Sequence, residues 1–520
     1  MFPELALFLL RKAINMRKPI IKDYLKATDV SITPDFGRLV AEQDKDLADY
    51  YVAPERYVAR AVNIDDPATF FVGPKGIGKS AILQMVRLTR ESEENRIISI
   101  APDDLAFSAL ANIDASTPLM KDASNNQWLF KSLWDYVLSL EVLRKEFQEH
   151  SAYENYLKRI FKSESKKKAE SLLKISLSDD GSLQSLSSKN LQLVREVELS
   201  AGYDKTKLSG KVSIDGKDVG KGDQLNLLGL VNSVAKNLPA TLKHPYYILV
   251  DDLDLHWSNT PIQNSFIAAL FLSLRSLSKP PIKCVVAMRD HIYKSLPLKD
   301  RDKFHDWVCE MEWDFLTVKH MITKRVQKKL KCGAAEIWGG AFPASAFDKM
   351  WHHTFGRPRE LVRLASLCFQ EGRRQGHTAM DEADVASAIR RFSDERISDL
   401  ASEVQHDYPS FDLLVRKFAG WPKEFSLNDF NVKFAEYIDI EVKLQEGHSS
   451  RYSWTRGYTQ NPRNLATIFL ETGFFMIKSN RNTPPRRYDI NNPQDITDDT
   501  WLAIHPTYWY GLNLIGSSDF

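Results

Sequence analysis

The sequence predicts an α/β fold: a parallel sheet that cradles phosphate, then a helical lid, then a small winged-helix-like α+β region. Three observations predict it. A glycine-rich loop sits between an apolar run and a helical pattern, at Gly73–Ser80. A near-continuous apolar run, Tyr246–Val250, ends in Asp251-Asp252. A third apolar run, Ile282–Met288, ends in Arg289. Continuous apolar runs of this length suit strands buried on both faces of a parallel sheet.

Five runs are expected as strands: β1 at 69–72, β2 at 96–101, β3 at 246–250, β4 at 282–288 and β5 at 308–313. Helices are expected over 81–89, 127–161 and 262–277, where apolar residues recur at helical spacing. Residues 163–223 are rich in Ser, Lys, Asp and Gly and read as an insertion, either a β-hairpin protrusion or a partly disordered loop. The organisation expected is an N-terminal helical segment (1–48), a phosphate-binding core (49–314) carrying that insertion, a helical lid (315–405) and a winged-helix-like domain (406–520).

Length supports several domains, since 520 residues exceed one ordinary core. Hydrophobic residues make up 43% and charged residues 27%, the balance of a globular protein. The net charge of +2 excludes whole-molecule attraction to nucleic acid or membrane, so such a contact needs a local patch. Cys284, Cys309, Cys332 and Cys368 match no zinc spacing and no paired framework, and are expected as free thiols in a reducing compartment. The apolar run Leu5–Leu10 precedes its basic residues, the reverse of a secretory signal, and no span of about 18 apolar residues occurs. A cytoplasmic protein without a membrane anchor is expected.

The loop Gly73-Pro74-Lys75-Gly76-Ile77-Gly78-Lys79-Ser80 fits G-x-x-x-x-G-K-S in full, and Ala81 continues it into a helix. Glycines let backbone N–H groups turn toward phosphate oxygens. Lys79 is placed to reach the β- and γ-phosphates and Ser80 to offer its hydroxyl to Mg²⁺, on the positive end of the helix. The chemistry expected is binding of ATP with Mg²⁺.

Asp251 is then the carboxylate expected to hold Mg²⁺ through water, and Asp252 the base expected to polarise an attacking water. Asp254 is a candidate helper or helix cap. The long separation between Ser80 and Asp251 is unlike a small GTPase. No Asn-Lys-x-Asp or Thr-Lys-x-Asp stretch reads guanine, so ATP is favoured over GTP. Arg289, at a strand's C-terminal end, is a candidate sensor of the γ-phosphate, because ligands of open α/β sheets sit at that edge. The alternative is a surface arginine paired with Asp290. In Phe355-Gly356-Arg357-Pro358-Arg359, Pro358 suits the first turn of a helix, which would set Arg359 beside the helix start as a second sensor. Arg301 is a candidate to reach a neighbouring subunit.

On these residues the chain resembles the additional-strand P-loop ATPases, a group that includes the AAA+ and STAND classes. It is most similar to bacterial members that pair an F-V-G-x-K-G-x-G-K-S loop with an I-L-V-D-D-L-D strand end, here Phe71–Ser80 and Ile248–Asp254. The resemblance covers about 45–400 and implies a β5-β1-β4-β3-β2 sheet with a helical lid. It also implies an association with KAP-type ATPases of phage-defence loci. Arg289 stands where AAA+ members carry Asn or Thr, which favours a STAND-like switch over a processive motor. Asp252 stands for Glu, which puts fast turnover in doubt.

In the C-terminal region, Phe425–Phe430 reads as an N-cap entering a helix. Leu465–Thr472 reads as a helix stopped by Gly473, and Phe474–Lys478 as a strand. A basic turn follows, with Lys478, Arg481, Arg486 and Arg487. That order is winged-helix-like. The basic wing is the one feature that could touch nucleic-acid phosphate; a protein-docking domain is the alternative. Three functions are therefore compared: a slow ATPase acting as a conformational switch in a homo-oligomer or with an effector protein, a nucleotide-binding scaffold with little hydrolysis, and a DNA-directed ATPase.

Overall fold

The computed structural model describes residues 36–52, 55–90, 96–100, 127–146, 212–214, 217–219, 238, 242, 244–254, 257, 259–404, 408–435, 454–455, 462–488 and 496–516. They form two compact units, Val40–Glu312 and a second that joins residues up to Leu39 to Trp313–Phe520. Residues 1–35 of the expected N-terminal helical segment lie outside the described residues. So does most of the insertion, within which Val212–Ile214 pairs with Lys217–Val219 as an antiparallel hairpin.

The first unit is built on five parallel strands: β1 (Phe70–Val72), β2 (Ile97–Ile100), β3 (Tyr246–Val250), β4 (Ile282–Met288) and β5 (Val308–Glu310). Their order is β2-β3-β4-β1-β5, which read from the other edge is the expected β5-β1-β4-β3-β2. β1, β3 and β4 are buried along their whole length, as the unbroken apolar runs of β1 and β3 require. Helices cover the sheet: α1 (Glu55–Val62), α2 (Lys79–Thr89), α3 (Gln127–Glu146), α4 (Pro261–Leu277) and the short α5 (Asp290–Ser295). α4 opens on Thr260, whose side chain accepts from the Gln263 N–H, with Pro261 at its first position. It is apolar on nearly every side because it packs on both the sheet and α3. Phe70 stacks on Phe271 of α4, and Trp134 of α3 donates to the Phe266 carbonyl.

One residue inside β4 breaks the apolar pattern. Lys283 is fully buried, and its ammonium donates to the carbonyls of Asp66 at 2.6 Å and Ala68 at 2.7 Å. Burial pushes its pKa down to about 8. It ties the sheet to the chain that enters β1, so it helps fix where the phosphate loop begins.

The second unit opens with helices α6 (Phe315–Leu330), α7 (Ala346–His352), α8 (Pro358–Arg374) and α9 (Glu382–Val404). α8 and α9 are joined by a bidentate pair, Arg363 to Glu395 at 2.6 and 2.9 Å. At the start of α9, Asp381 and Asp384 accept each other's backbone N–H, and Asp384 also takes His377 Nδ1 at 2.8 Å. The chain continues through α10 (Phe411–Arg416), β6 (Glu424–Ser426), α11 (Leu427–Phe430), α12 (Pro462–Glu471), β7 (Phe475–Lys478) and β8 (Trp501–Ile504). The three strands form an antiparallel sheet in the order β6-β8-β7. With its helices this sheet makes an α+β region. Ser426 caps α11 reciprocally with Asp429, and Gly473 follows α12 in the left-handed region.

These α+β elements share a core with the helices before them. Phe355, Ile397 and Leu400 belong to the same apolar cluster as Phe418, Phe469 and Leu502. Phe355 stacks on His505 at 4.1 Å, and Thr507 donates to the His353 carbonyl at 3.0 Å. Among the described residues no helix is long and apolar enough to cross a membrane.

Lys283→Ala removes two charge-assisted bonds and strands two buried carbonyls. A loss of about 2–4 kcal/mol is expected, read as a lower urea midpoint.

Candidate functional site

Strand register brings the expected site residues to one edge. Val72 of β1 pairs with Met288 of β4, and Val250 of β3 pairs with Val286. The residues that leave these strands, Gly73, Asp251 and Arg289, therefore emerge side by side at the C-terminal edge. Backbone bonds fasten the exits: Gly73 N–H donates to Met288 at 3.2 Å and Met311 N–H to Val72 at 2.8 Å.

The loop from Gly73 to Gly78 has the geometry a cradle needs. Gly76 and Gly78 have φ of 82° and 103°, values a side chain resists, and they turn the loop into α2. At Gly73 an added Cβ would lie 3.1 Å from Ile77 Cγ2 and 3.4 Å from Met311 Cβ, so that position is closed by packing. Pro74, Lys75 and Ile77 complete the turn, and Ala81 lies in the first turn of α2.

Lys79 is folded back over the loop. Its ammonium donates to the carbonyls of Gly73 at 2.8 Å and Pro74 at 2.9 Å. Burial, reinforced by the nearby Arg289, pushes its pKa down to about 8 against the pull of Asp254, Asp290 and Asp251. The Ser80 hydroxyl lies near the Asp251 carboxylate and favours its ionised form. Asp252 N–H donates to Asp251 Oδ1 at 2.9 Å. Burial pushes the Asp251 pKa up to about 6, with the Asp252 N–H and Ser80 opposing it. Asp252 is exposed, at a φ of 55°, and its pKa is raised by burial, Asp254 and Glu42.

Glu42 was not legible as a site residue. It lies on a 3-10 turn, Ala41–Gln43, packed on α2, and its negative charge acts on both Asp251 and Asp252. His291 was missed too. It sits at the start of α5 beside the Trp257 ring, with its pKa lowered first by burial. Glu42 lies far from the motif residues in sequence and only the fold joins them, whereas His291 is two residues beyond Arg289.

Several expectations need correction. Arg289 forms an ion pair with Asp254, not with Asp290. Arg301 turns inward: its guanidinium donates to the carbonyls of Tyr293, Lys294 and Leu296 at 3.2, 2.8 and 2.8 Å, which satisfies the C-terminal end of α5. Lys478 is no wing contact. It is buried on β7 and its ammonium pairs with Glu424 of β6. Arg481, Arg486 and Arg487 stay exposed; Arg481 lies over the Trp501 ring at 5.5 Å and Arg487 over Phe355 at 5.3 Å. Arg359 belongs to the second unit and is exposed in the first turn of α8, while Arg357 beside it lies over the Phe355 ring at 4.9 Å.

The donor set fits a polyphosphate with a divalent cation. Loop N–H groups and Lys79 suit phosphate oxygens. Ser80 and Asp251 are a hydroxyl and a carboxylate of the kind Mg²⁺ takes.

The raised pKa of Asp251 has a stability consequence. Between about pH 4 and pH 6 the folded chain holds a proton that the unfolded chain has lost. Stability therefore falls as pH rises through that window. Asp251→Asn removes the buried charge and should stabilise the protein at pH 7.5 by on the order of 2 kcal/mol, but not at pH 4. Urea midpoints at both pH values, without nucleotide or Mg²⁺, check this.

Comparison with known proteins gives one family model, two curated relatives and several solved structures. The family model described as a FunZ-associated C-terminal helical domain matches residues 317–401. The putative transposon gamma-delta 80.3 kDa protein of Escherichia coli (strain K12) is 23% identical over 511 residues, 92% of this chain and 67% of that protein. Allergen Alt a 2 of Alternaria alternata is 23% identical over 154 residues, 27% of this chain and 79% of that protein. Among solved structures, the Aeropyrum pernix ORC1 protein in complex with DNA matches at 10% identity and a TM-score of 0.37, covering 93% of each chain. Drosophila ORC bound to DNA matches at 11% identity and a TM-score of 0.31, covering 94% of this chain and 89% of that one.

Proposed function

We propose that this chain binds Mg-ATP at the Gly73–Ser80 loop and hydrolyses it slowly, as a nucleotide-dependent conformational switch. The observation that carries the reading is the nearness of the Ser80 hydroxyl to the Asp251 carboxylate, which brings the phosphate loop to the end of β3. In P-loop enzymes that hydroxyl and that carboxylate hold the metal. Bound Mg²⁺ would neutralise charge on the β- and γ-phosphates.

The chain's own residues have distinct parts in this reading. Loop N–H groups and Lys79 hold the phosphates; Lys79 leaves the Gly73 and Pro74 carbonyls to do so. Ser80 and Asp251 hold the metal. Asp252 orients and deprotonates the water; its exposed position leaves room for one. Arg289 and Arg359 read the γ-phosphate. A homo-oligomer or an effector protein is the partner class proposed, because a switch needs something to act on.

A DNA-directed role is the second reading. The exposed arginines Arg481, Arg486 and Arg487 favour it, and the relative along 92% of the chain is named as a transposon protein. Changing Arg486 and Arg487 together to Ala should weaken duplex binding and flatten its salt dependence. Absence of DNA binding by the unmodified protein removes this reading.

Lys79→Ala should weaken Mg-ATP binding by at least about 100-fold, since it deletes a charged contact to phosphate. Calorimetric titration reads it, and unchanged affinity ends the proposal. Asp252→Asn should keep ATP bound while turnover falls by about two orders of magnitude or more. With ATP bound, Asp252→Asn should sediment as a larger species than with ADP, and Arg359→Ala should abolish that difference. Equal mass in both states rules out the oligomeric switch.

A further inference from the structure

We propose that Asp254 is a latch on Arg289: it holds the sensor arginine off the phosphate site, and a γ-phosphate must take the guanidinium from it. The inference rests on the ATP-binding reading and assigns a positioning role to Asp254.

Three observations carry it. First, the Arg289 guanidinium and the Asp254 carboxylate form a direct ion pair, with both side chains about three-quarters buried, at 24% and 23% exposure. A pair so enclosed is screened less than a surface pair. Second, the backbone gives Arg289 little freedom. It leaves β4 in extended conformation and is the residue before α5, whose first turn is closed by Tyr293 N–H donating to the Arg289 carbonyl at 3.0 Å. Reaching an anion at the loop is therefore a side-chain rotation, and rotation breaks the pair. Third, Arg289 lies close enough to the loop for its charge to repel the Lys79 ammonium. The strand register explains this, because Arg289 and Gly73 follow the paired residues Met288 and Val72.

The two cations of the site are thus both engaged elsewhere. Lys79 is bonded to carbonyls of its own loop, and Arg289 is paired with Asp254. Their alternatives differ in kind. Lys79 gives up neutral acceptors, whereas Arg289 gives up a full carboxylate. Leaving a partly buried carboxylate unpaired is costly, so only a ligand that supplies comparable negative charge at Arg289 can open the latch. A β-phosphate is handled by the loop and Lys79. The γ-phosphate is the group that would meet Arg289. Asp254 consequently sets how strongly the protein distinguishes ATP from ADP. Ligand affinity is reduced by the fraction of molecules in the competent state, so a latch closed nine times in ten weakens ATP binding about tenfold.

The test is a double-mutant cycle. Dissociation constants for Mg-ADPNP and Mg-ADP are measured by calorimetry on the unmodified protein, Asp254→Asn, Arg289→Ala and the double variant. Asp254→Asn should tighten ADPNP about tenfold and leave ADP unchanged. In the Arg289→Ala background the same substitution should change neither. Equal tightening in that background makes Asp254 a general repulsive charge and overturns the latch. Weaker ADPNP binding in Asp254→Asn also overturns it. Should Asp254→Asn fail to fold, Asp254→Ser serves in its place. Loss of nucleotide binding in the unmodified protein overturns the ATP-binding reading itself, whereas intact binding with no effect of Asp254 overturns the latch alone.

Discussion

The site depends on the register of three parallel strands. A buried strand must pair every backbone N–H and C=O, so it cannot slide by one residue without stranding them. The pairing of Val72 with Met288, and of Val250 with Val286, fixes where each chain leaves the sheet. Gly73, Asp251 and Arg289 then meet although they are far apart in sequence. Lys283 adds a second fastening on the same strand, since its ammonium holds the Asp66–Ala68 segment that feeds β1.

Much of this was legible because the signals are local. The glycine spacing before Lys79 demands a tight turn, and the turn is there with positive φ at Gly76 and Gly78. Unbroken apolar runs demand two covered faces, and β1 and β3 have them. Pro358 was read as an early helical residue and begins α8. Sheet order was implied by resemblance, and the strand pairing agrees with it.

What was not legible concerns partners of charged side chains. An arginine at a strand end can pair with any carboxylate the fold brings near; sequence offered Asp290, and the fold supplied Asp254. Lys478 borders a basic turn, so it read as part of a wing. Its strand instead pairs with β8, next to β6, and brings it within reach of Glu424. Arg301 carried no local sign that it would satisfy the end of α5. Glu42 reaches the carboxylate pair only because its turn packs on α2. Long side chains choose among distant neighbours, and those neighbours are a tertiary property.

The position of β2 has a consequence for how such a chain can change. β2 is an edge strand, joined to the sheet only through β3, and a long stretch of sequence separates the two. The elements that carry the candidate site, β1 with α2 and β3 with β4, are fastened to one another without it. Closing a longer connection costs entropy only as the logarithm of its length. Apart from α3, which is built into the core on α4, the connection between Ile100 and Tyr246 can therefore change length at little entropic cost while the pairing of β1, β3 and β4 stays as it was.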